Sequence, residues 1–230
     1  MHKDAEQGSA NCVVSDLLNI GVYILATNEF ALVPPGFFNK KDKKMVKNAL
    51  RVPLVESMIG GTSLLGVLAV ANSNVLLLPQ IATDLEIEEL QVQLGIEVYL
   101  LDSKITALGN VIVVNDKGAL VSSVFNKKDI QAIEDALGVT VAQKDLAGIS
   151  VVGAMCVVTS KGALVSPLAS DEEVEQISSI FKVNTDICTI NRGYAYISTG
   201  LTANARGGLC GADTTGIERA RIIDILLSSV

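Results

Sequence analysis

Thiol and imidazole groups are among the side chains best suited to covalent or metal chemistry, and this sequence holds few of them. It has one histidine, His2, and four widely spaced cysteines: Cys12, Cys156, Cys188 and Cys210. A nucleophilic cysteine or serine needs a base within reach, and His2 lies in the amino-terminal segment, where chain ends often fray. No two cysteines form a CxxC pair, so a zinc site is not expected. We therefore predict no catalytic residue, no metal and no cofactor, and small, buried, reduced cysteines.

Two other patterns resemble sites that handle phosphate or protons. The segment GADTTG, residues 211–216, lacks the lysine and the spacing of a P-loop. We interpret it as a strand end followed by a helix with Asp213 as its N-cap. Asp84 is likewise expected to be an N-cap, and Ser170 followed three residues later by Glu173 fits a capping box. Acidic residues also cluster where helices should begin, a position at which negative charge complements the helix dipole: Glu86, Glu88, Glu89, Asp171, Glu172 and Glu173. Neither pattern assembles an active site.

Composition narrows the class of protein and of partner. The 230 residues are 49% hydrophobic, yet the apolar residues form strand-length bursts, and no run reaches the roughly 18 residues of a membrane span. We therefore expect a soluble, cytoplasmic protein without a signal peptide. A net charge of −7 argues against DNA or RNA as the primary partner and leaves a basic protein surface possible. The lysine-rich run 39–47 is read as a solvated helix face, with a docking role as the alternative.

A repeat of about 44 residues runs the length of the chain. Its anchor position, glycine in four copies, recurs at Gly21, Gly66, Gly109, Gly153 and Ser198. Six positions after the anchor comes an Asn or Thr: Thr27, Asn72, Asn115, Thr159 and Asn204. Self-similarity at a fixed period indicates supersecondary units whose apolar faces are covered by their neighbours. Residues 1–230 are therefore predicted to form one domain of five units.

Each unit is predicted to contain a hairpin, a helix and a further strand. Turn segments such as NDKG (115–118) suit backbone conformations with positive φ, and each anchor should begin a strand. Apolar residues at i, i+3 and i+7 mark the helices. In the first and last units these residues lie one position further from the anchor, a slip that one extra residue before the helix would explain. The last unit lacks a third strand, which residues 12–20 could supply. The prediction is an α/β fold, a closed ring of five pseudo-symmetric repeats.

The segments before the anchors should gather at one end of this ring. They include GGTSLL (60–65) and TAL (106–108), in which apolar residues occupy short loops where polar ones are usual. They could be simple turns, or together they could form a binding surface.

The motifs GGTSLLG, ALGN, NDKGALVS, INRG and CGADTTG resemble those of translation initiation factor six, the ribosome anti-association factors of archaea and eukaryotes. The resemblance covers essentially the whole chain, and the missing tail suggests the archaeal type. Ile217 departs from the pattern, because archaeal members often have proline there. The resemblance implies the pentein fold, a ring of five α/β units.

The resemblance also implies a function. The protein would bind the large ribosomal subunit, mainly through ribosomal protein, block joining of the small subunit and act in large-subunit maturation. Its release would need a translocation-type GTPase and a maturation partner, and it would act as a monomer. The implied ribosome-binding residues are Gly61, Ser63, Leu64, Leu65, Gly66, Ala107, Leu108, Asn110, Asn191 and Arg192. Leu64, Leu65 and Leu108 are expected to be apolar loop tips that pack against the partner. Asn110 and Arg192 are expected to make polar contacts that fix how the two surfaces align.

Two other functions stay open on the sequence. Related five-unit rings include guanidine-modifying enzymes with a cysteine nucleophile, a histidine and carboxylates, and this chain lacks an interior histidine. A binding module for another basic protein is the second alternative.

Overall fold

Five small sheets make up the fold. The computed structural model describes residues 11–228, so His2 lies outside the described residues. Each sheet has a short antiparallel hairpin whose second strand pairs in parallel with a third. The sheets are β2 (Leu25–Ala26), β3 (Ala31–Val33) and β4 (Leu54–Glu56); β5 (Val70–Ala71), β6 (Val75–Pro79) and β7 (Glu97–Leu101); β8 (Ile112–Val114), β9 (Ala119–Val121) and β10 (Val141–Gln143); β11 (Cys156–Val158), β12 (Gly162–Val165) and β13 (Asn184–Ile187); and β14 (Leu201–Asn204), β15 (Gly207–Cys210) and β1 (Cys12–Val14).

The fifth sheet joins the two ends of the described chain. Strand β1 runs parallel to β15, with Val13 opposite Leu209, and so completes the last unit. Within residues 12–20 only Cys12–Val14 is strand, and Ile20 begins a short helix instead. The ring is thus closed by three residues of strand rather than nine.

The hairpin turns are built by the buried Asn or Thr six positions after each anchor. Asn115 Oδ1 accepts from the backbone N–H groups of Lys117 and Gly118 at 2.9 and 3.1 Å, and the other four side chains do the same in their turns. The expected positive φ is wrong, because no residue of 115–118 has one. Gly118 is required for space, since a Cβ there would lie 2.3 Å from the Ile180 carbonyl oxygen.

The same side chains connect neighbouring units. Asn72 Nδ2 donates to the carbonyl of Leu137 at 2.9 Å, and Asn204 Nδ2 donates to that of Leu50 at 2.9 Å. Asn115 Nδ2 donates to the carbonyl of Phe181, and the Thr159 hydroxyl donates to that of Leu226. Four of the five therefore bind the last turn of the next unit's helix, where carbonyl groups lack intrahelical partners.

Five longer helices cover the sheets: α2 (Lys40–Leu50), α4 (Asp84–Leu94), α6 (Lys127–Leu137), α8 (Asp171–Phe181) and α9 (Gly216–Ile222), the last continuing as a π-helical turn over Ile223–Leu227. The capping box of Ser170 and Glu173 is confirmed. The N-caps expected at Asp84 and Asp213 are wrong, because Thr83 and Thr215 take these positions.

The positions of the buried apolar residues along each longer helix are set by where its N-cap lies. The N-cap lies 17 residues after the anchor in units two to five and 18 after it in unit one, at Asn39. The slip expected in the last unit is therefore wrong. Ala220 is exposed, whereas Ile222 and Leu226 are fully buried, in phase with the central units.

The anchors do not begin strands, as the sequence had suggested, but lie in short helical turns. These are α1 (Ile20–Tyr23), α3 (Leu65–Leu68), α5 (Leu108–Val111), α7 (Val152–Met155) and a 3-10 turn (Ile197–Thr199). The five turns pack in a closed circle around the axis. A Cβ on Gly66 would lie 2.0 Å from the carbonyl oxygen of Gly21, and one on Gly109 would lie 2.1 Å from that of Gly66. Glycine recurs at the anchors because each backbone stacks directly on the one before it.

Candidate functional site

Three of the segments before the anchors form tight, left-handed turns. Gly60 and Gly61 have φ of 58° and 69°, and Arg192 and Gly193 have φ of 65° and 98°. Ala147 and Gly148 form the corresponding turn of the fourth unit. Each turn is closed by an isolated antiparallel bridge: Ile59 with Thr62, Leu146 with Ile149, and Ile190 with Tyr194. The backbone at these tips is therefore sharply bent in a defined way.

Glutamates at the starts of the longer helices hold these turns. Glu86 accepts from the backbone N–H groups of Gly60 and Gly61 at 2.9 and 3.0 Å. Glu218 accepts from those of Arg192 and Gly193 at 3.2 and 3.0 Å. Glu173 accepts from Ala147 at 3.0 Å. Each of the three is also the N3 residue of a capping box, so one carboxylate serves both helix and turn.

The pKa values of these carboxyl groups reflect this bonding. Partial burial raises the pKa of Glu86, but the backbone donors of Thr83, Gly61 and Gly60 outweigh it, and the pKa lies below the usual 4.5. Glu173 and Glu218 have a lowered pKa for the same combination of causes. These three glutamates are thus structural groups that hold the turns in their charged form.

The residues implied by the resemblance all lie at this end, yet several are not exposed. Leu65 and Leu108 are fully buried, because they begin the short helices α3 and α5 and point into the core. The expectation that they are loop tips is wrong. Leu64, the residue before α3, is 37% exposed. Gly61 is exposed too, whereas Ser63, Gly66, Ala107 and Asn110 are half-buried.

Asn191 and Arg192 differ in what they can offer a partner. The Asn191 amide donates to the carbonyl of Leu18 at 2.7 Å and accepts from the Thr214 hydroxyl at 3.1 Å, so this side chain ties the last unit to the amino-terminal segment. Arg192 is exposed, and its guanidinium makes no ion pair within residues 11–228. Arg192 can therefore contact a partner, whereas Asn191 positions the turn.

Sequence reasoning missed a ring of exposed apolar side chains at the same end. In four units the residue two positions before the N-cap is a large hydrophobic: Phe37, Ile81, Val124 and Leu168, which are 41%, 42%, 43% and 51% exposed. In the fifth unit this position is Asp213. We call these four residues the apolar rim. Their recurrence at a fixed distance from the N-cap was visible in the repeat, but exposure was not.

The apolar rim lies beside the pre-anchor turns. A Cβ added to Gly60 would lie 3.0 Å from Ile81, so rim and turn are in direct contact in the second unit. Phe37 stacks on Tyr23 of α1, with ring centroids 4.4 Å apart. Leu18, Leu64 and Tyr194, which precede α1, α3 and the 3-10 turn, are 48%, 37% and 51% exposed. Recurring exposed apolar groups make this end the candidate surface for a macromolecular partner.

The cysteines have the character of packing residues. All four are buried and unpaired in disulfides. Burial raises the pKa of the Cys156 thiol to about 12 and that of Cys188 to about 11. A hydrogen bond with Cys210, together with burial, raises the pKa of Cys12. These three thiols are poor nucleophiles at neutral pH, because the reactive form is the thiolate. The hydrogen bond with Cys12 instead lowers the pKa of Cys210, although burial opposes this shift. Residues 11–228 also contain no group of three or more His, Cys, Asp or Glu side chains that could hold a metal ion.

The axis of the ring contains two small cavities. One of about 120 Å³ is lined by the anchors and the strands that follow them. Another of about 40 Å³ lies among the hairpin turns. There the Asp116 carboxylate is already occupied, since it accepts from the Ser73 backbone and hydroxyl, both at 2.8 Å. We assign no ligand to the axis.

The known proteins whose sequences are similar to this chain belong to one family. The model of the eIF-6 family matches residues 10–225. A protein of Nitrosopumilus maritimus named translation initiation factor 6 is 47% identical over 87% of this chain and 90% of its own. Proteins of the same name from Aeropyrum pernix and Staphylothermus marinus are 46% and 40% identical, each over 89% of this chain and over 88% and 91% of their own.

Among solved structures, a dimethylarginine dimethylaminohydrolase aligns with a TM-score of 0.50 at 14% identity, over 73% of this chain and 68% of that one. This likeness shows the fold alone, and it confirms the pentein-type ring. Between residues 11 and 228 there is no helix with the length and apolar character to cross a bilayer.

Proposed function

The chain belongs to the eIF-6 family and is a translation initiation factor, and from that premise we propose that it binds the large ribosomal subunit and blocks its joining with the small one. The observation that carries the proposal is the apolar rim together with the three carboxylate-held turns at one end of the ring. Binding would take place through that end, and the ring itself would occupy space that the small subunit needs.

A rigid ring suits this role. Each turn is fixed by hydrogen bonds to a helix of its own unit, and the units are connected by the buried Asn and Thr side chains. A pre-organised surface loses little conformational entropy on binding, so exposed apolar groups can contribute fully to affinity. Ile81, Leu64 and Tyr194 would be its main apolar contacts, with Arg192 as a polar contact.

A ribosomal protein is the contact that the charges favour at this end. Helices α4 and α8 carry Asp84, Glu86, Asp171, Glu172 and Glu173 in their first turns, beside the apolar rim. An acidic border around apolar groups complements a basic protein surface and steers its approach. A role in large-subunit maturation, and release by a translocation-type GTPase with a maturation partner, belong to the same proposal and rest on the family alone. A monomer is proposed as the binding form.

Cosedimentation with purified large subunits tests the binding surface. We expect Ile81→Ser and Tyr194→Ser each to weaken binding about tenfold or more, as loss of a central interface residue does. Val92→Ser is the matched control, because Val92 is 85% exposed on the outer side of α4 and should not touch the subunit. Binding of all three variants within twofold of the unaltered chain would show that this end is not the interface.

A further inference from the structure

The outer helices differ sharply in charge. Helix α2 (Lys40–Leu50) carries five lysines and one aspartate, whereas α4 and α8 each carry four acidic residues and no basic one. The five helices occupy equivalent places around the ring, and the chain as a whole has a charge of −7. One flank of an acidic molecule is therefore strongly positive.

The lysines of α2 are arranged to face outward together. Lys40, Lys44 and Lys47 follow the i, i+4, i+7 spacing of one helix face, and Lys41 lies beside them. Val46, Ala49 and Leu50 of the same helix are buried against the sheet. We call Lys40, Lys41, Lys44 and Lys47 the lysine stripe.

These amino groups are available to a partner. All four residues of the lysine stripe are exposed, and none forms an ion pair within residues 11–228. The fifth lysine, Lys43, is instead paired with Glu56 of β4. Unpaired like charges at i, i+4 spacing destabilise a helix slightly, so the stripe carries a small cost in the free protein. A polyanion placed against it would remove that cost.

The geometry points to the sugar–phosphate backbone of RNA as that polyanion. From Lys40 to Lys47 the stripe is about 10 Å long at the rise of an α-helix, enough for more than one phosphate. The exposed surface of the helix offers lysines and Asn48 but no aromatic side chain on which a base could stack. Lysine ammonium groups bind phosphates as point charges without reading sequence.

The position of the stripe relates it to the proposed interface. Its first residue follows the N-cap Asn39, two residues after Phe37 of the apolar rim. The stripe thus begins at the binding end and runs along the flank. We propose that the lysine stripe binds the phosphate backbone of large-subunit RNA next to the protein that the apolar rim contacts. This inference rests on the proposed function and adds a second kind of contact to it.

The uneven charge of the outer helices would fix the orientation in which the ring binds. The acidic helices α4 and α8 would be repelled by RNA, while α2 is attracted, so only one rotation of the ring about its axis brings every flank to a suitable surface. Five similar units could otherwise dock in several rotations. The lysine stripe would select one of them.

The test compares two charge-matched variants. Lys44→Gln with Lys47→Gln removes two members of the stripe, and Lys117→Gln with Lys182→Gln removes two exposed lysines elsewhere on the ring. Affinity for purified large subunits is measured between about 50 and 200 mM salt. The slope of log affinity against log salt should fall in magnitude by about 1.4 to 1.8 for the stripe variant, because each of the two phosphates that its lysines neutralise adds about 0.7 to 0.9 to the slope. The control variant should keep the slope of the unaltered chain.

A photocrosslinking group at position 41 identifies the partner. Crosslinks to ribosomal RNA together with the reduced slope are the expected result. Equal slopes for the two variants, or crosslinks to ribosomal protein alone, would overturn the inference while leaving the proposed function intact. The second of these outcomes would indicate an acidic protein segment as the partner. If the unaltered chain does not bind large subunits at all, the proposed function fails and the inference fails with it.

Discussion

Single carboxylates determine the shape of the end of the ring that carries the pre-anchor turns. Glu86, Glu173 and Glu218 each accept hydrogen bonds from a turn about 26 residues away as well as from the N-cap of their own helix. The sequence identified the capping box of Ser170 and Glu173, because its spacing is local. It did not reveal the second set of bonds, since nothing in a linear pattern states which distant turn a helix start will meet.

Replacing Glu86 by glutamine tests this dual role. The neutral amide has one acceptor oxygen in place of two charged ones, so the turn at Gly60 and Gly61 should loosen. We expect Glu86→Gln to lower the free energy of unfolding by about 1 to 2 kcal/mol in urea titrations. Glu88→Gln, an exposed change on the same helix, should have almost no effect. Equal effects of the two substitutions would show that the bonds to the turn contribute nothing.

The same groups predict a pH dependence. The folded pKa values of Glu86, Glu173 and Glu218 are below 4.5, because donated hydrogen bonds outweigh burial. Their stabilisation is therefore fully present above pH 4.5 and is lost as the pH falls through the folded values. Melting temperatures measured from pH 7 to about pH 3 should decrease below pH 4.5. The triple glutamine variant should show a shallower decrease, and identical profiles would contradict the assignment.

At the scale of elements, the short helical turns around the axis explain the repeat. The period and the recurring glycines predicted five units, but the sequence placed the anchors at strand starts. Four-residue helices are too short to show a hydrophobic period, so only the packing of one anchor on the next could reveal them.

An alanine scan of glycines tests this packing. Gly66→Ala and Gly109→Ala would each place a methyl group about 2 Å from a backbone oxygen of the neighbouring unit. The two backbones would have to separate, so we expect a loss of about 3 kcal/mol or more in urea titrations. At Gly216, the first residue of α9, a Cβ would meet open space, and Gly216→Ala should be neutral or slightly stabilising. Anchor variants as stable as Gly216→Ala would contradict the stacking.

Closure of the ring depends on one short strand, β1. The expected contribution of the amino-terminal segment was nine residues long, whereas three residues of β1 complete the sheet. Deleting residues 1–14 should remove this strand and expose the edge of β15 along with the core around Cys210, and so lower the unfolding midpoint markedly. Deleting residues 1–10 keeps β1 and is the control. If both deletions unfold at the same denaturant concentration, β1 does not hold the ring closed.

For the whole molecule, the sequence predicted the closed ring and the end at which the segments before the anchors gather, because both follow from the period. It was wrong about Leu65 and Leu108, which resemble exposed tips by their glycine-rich surroundings but begin helices that point inward. It also missed the apolar rim, since four hydrophobic residues 43 or 44 positions apart look like core residues until their exposure is known.

We propose that the ring, once bound to the large subunit through this end, excludes the small subunit. The most direct measurement is light scattering of a mixture of purified large and small subunits with increasing amounts of the protein. We expect the joined fraction to fall in proportion to the occupancy of large subunits, and Ile81→Ser to need about tenfold more protein for the same effect. Undiminished joining when every large subunit carries the protein would contradict it.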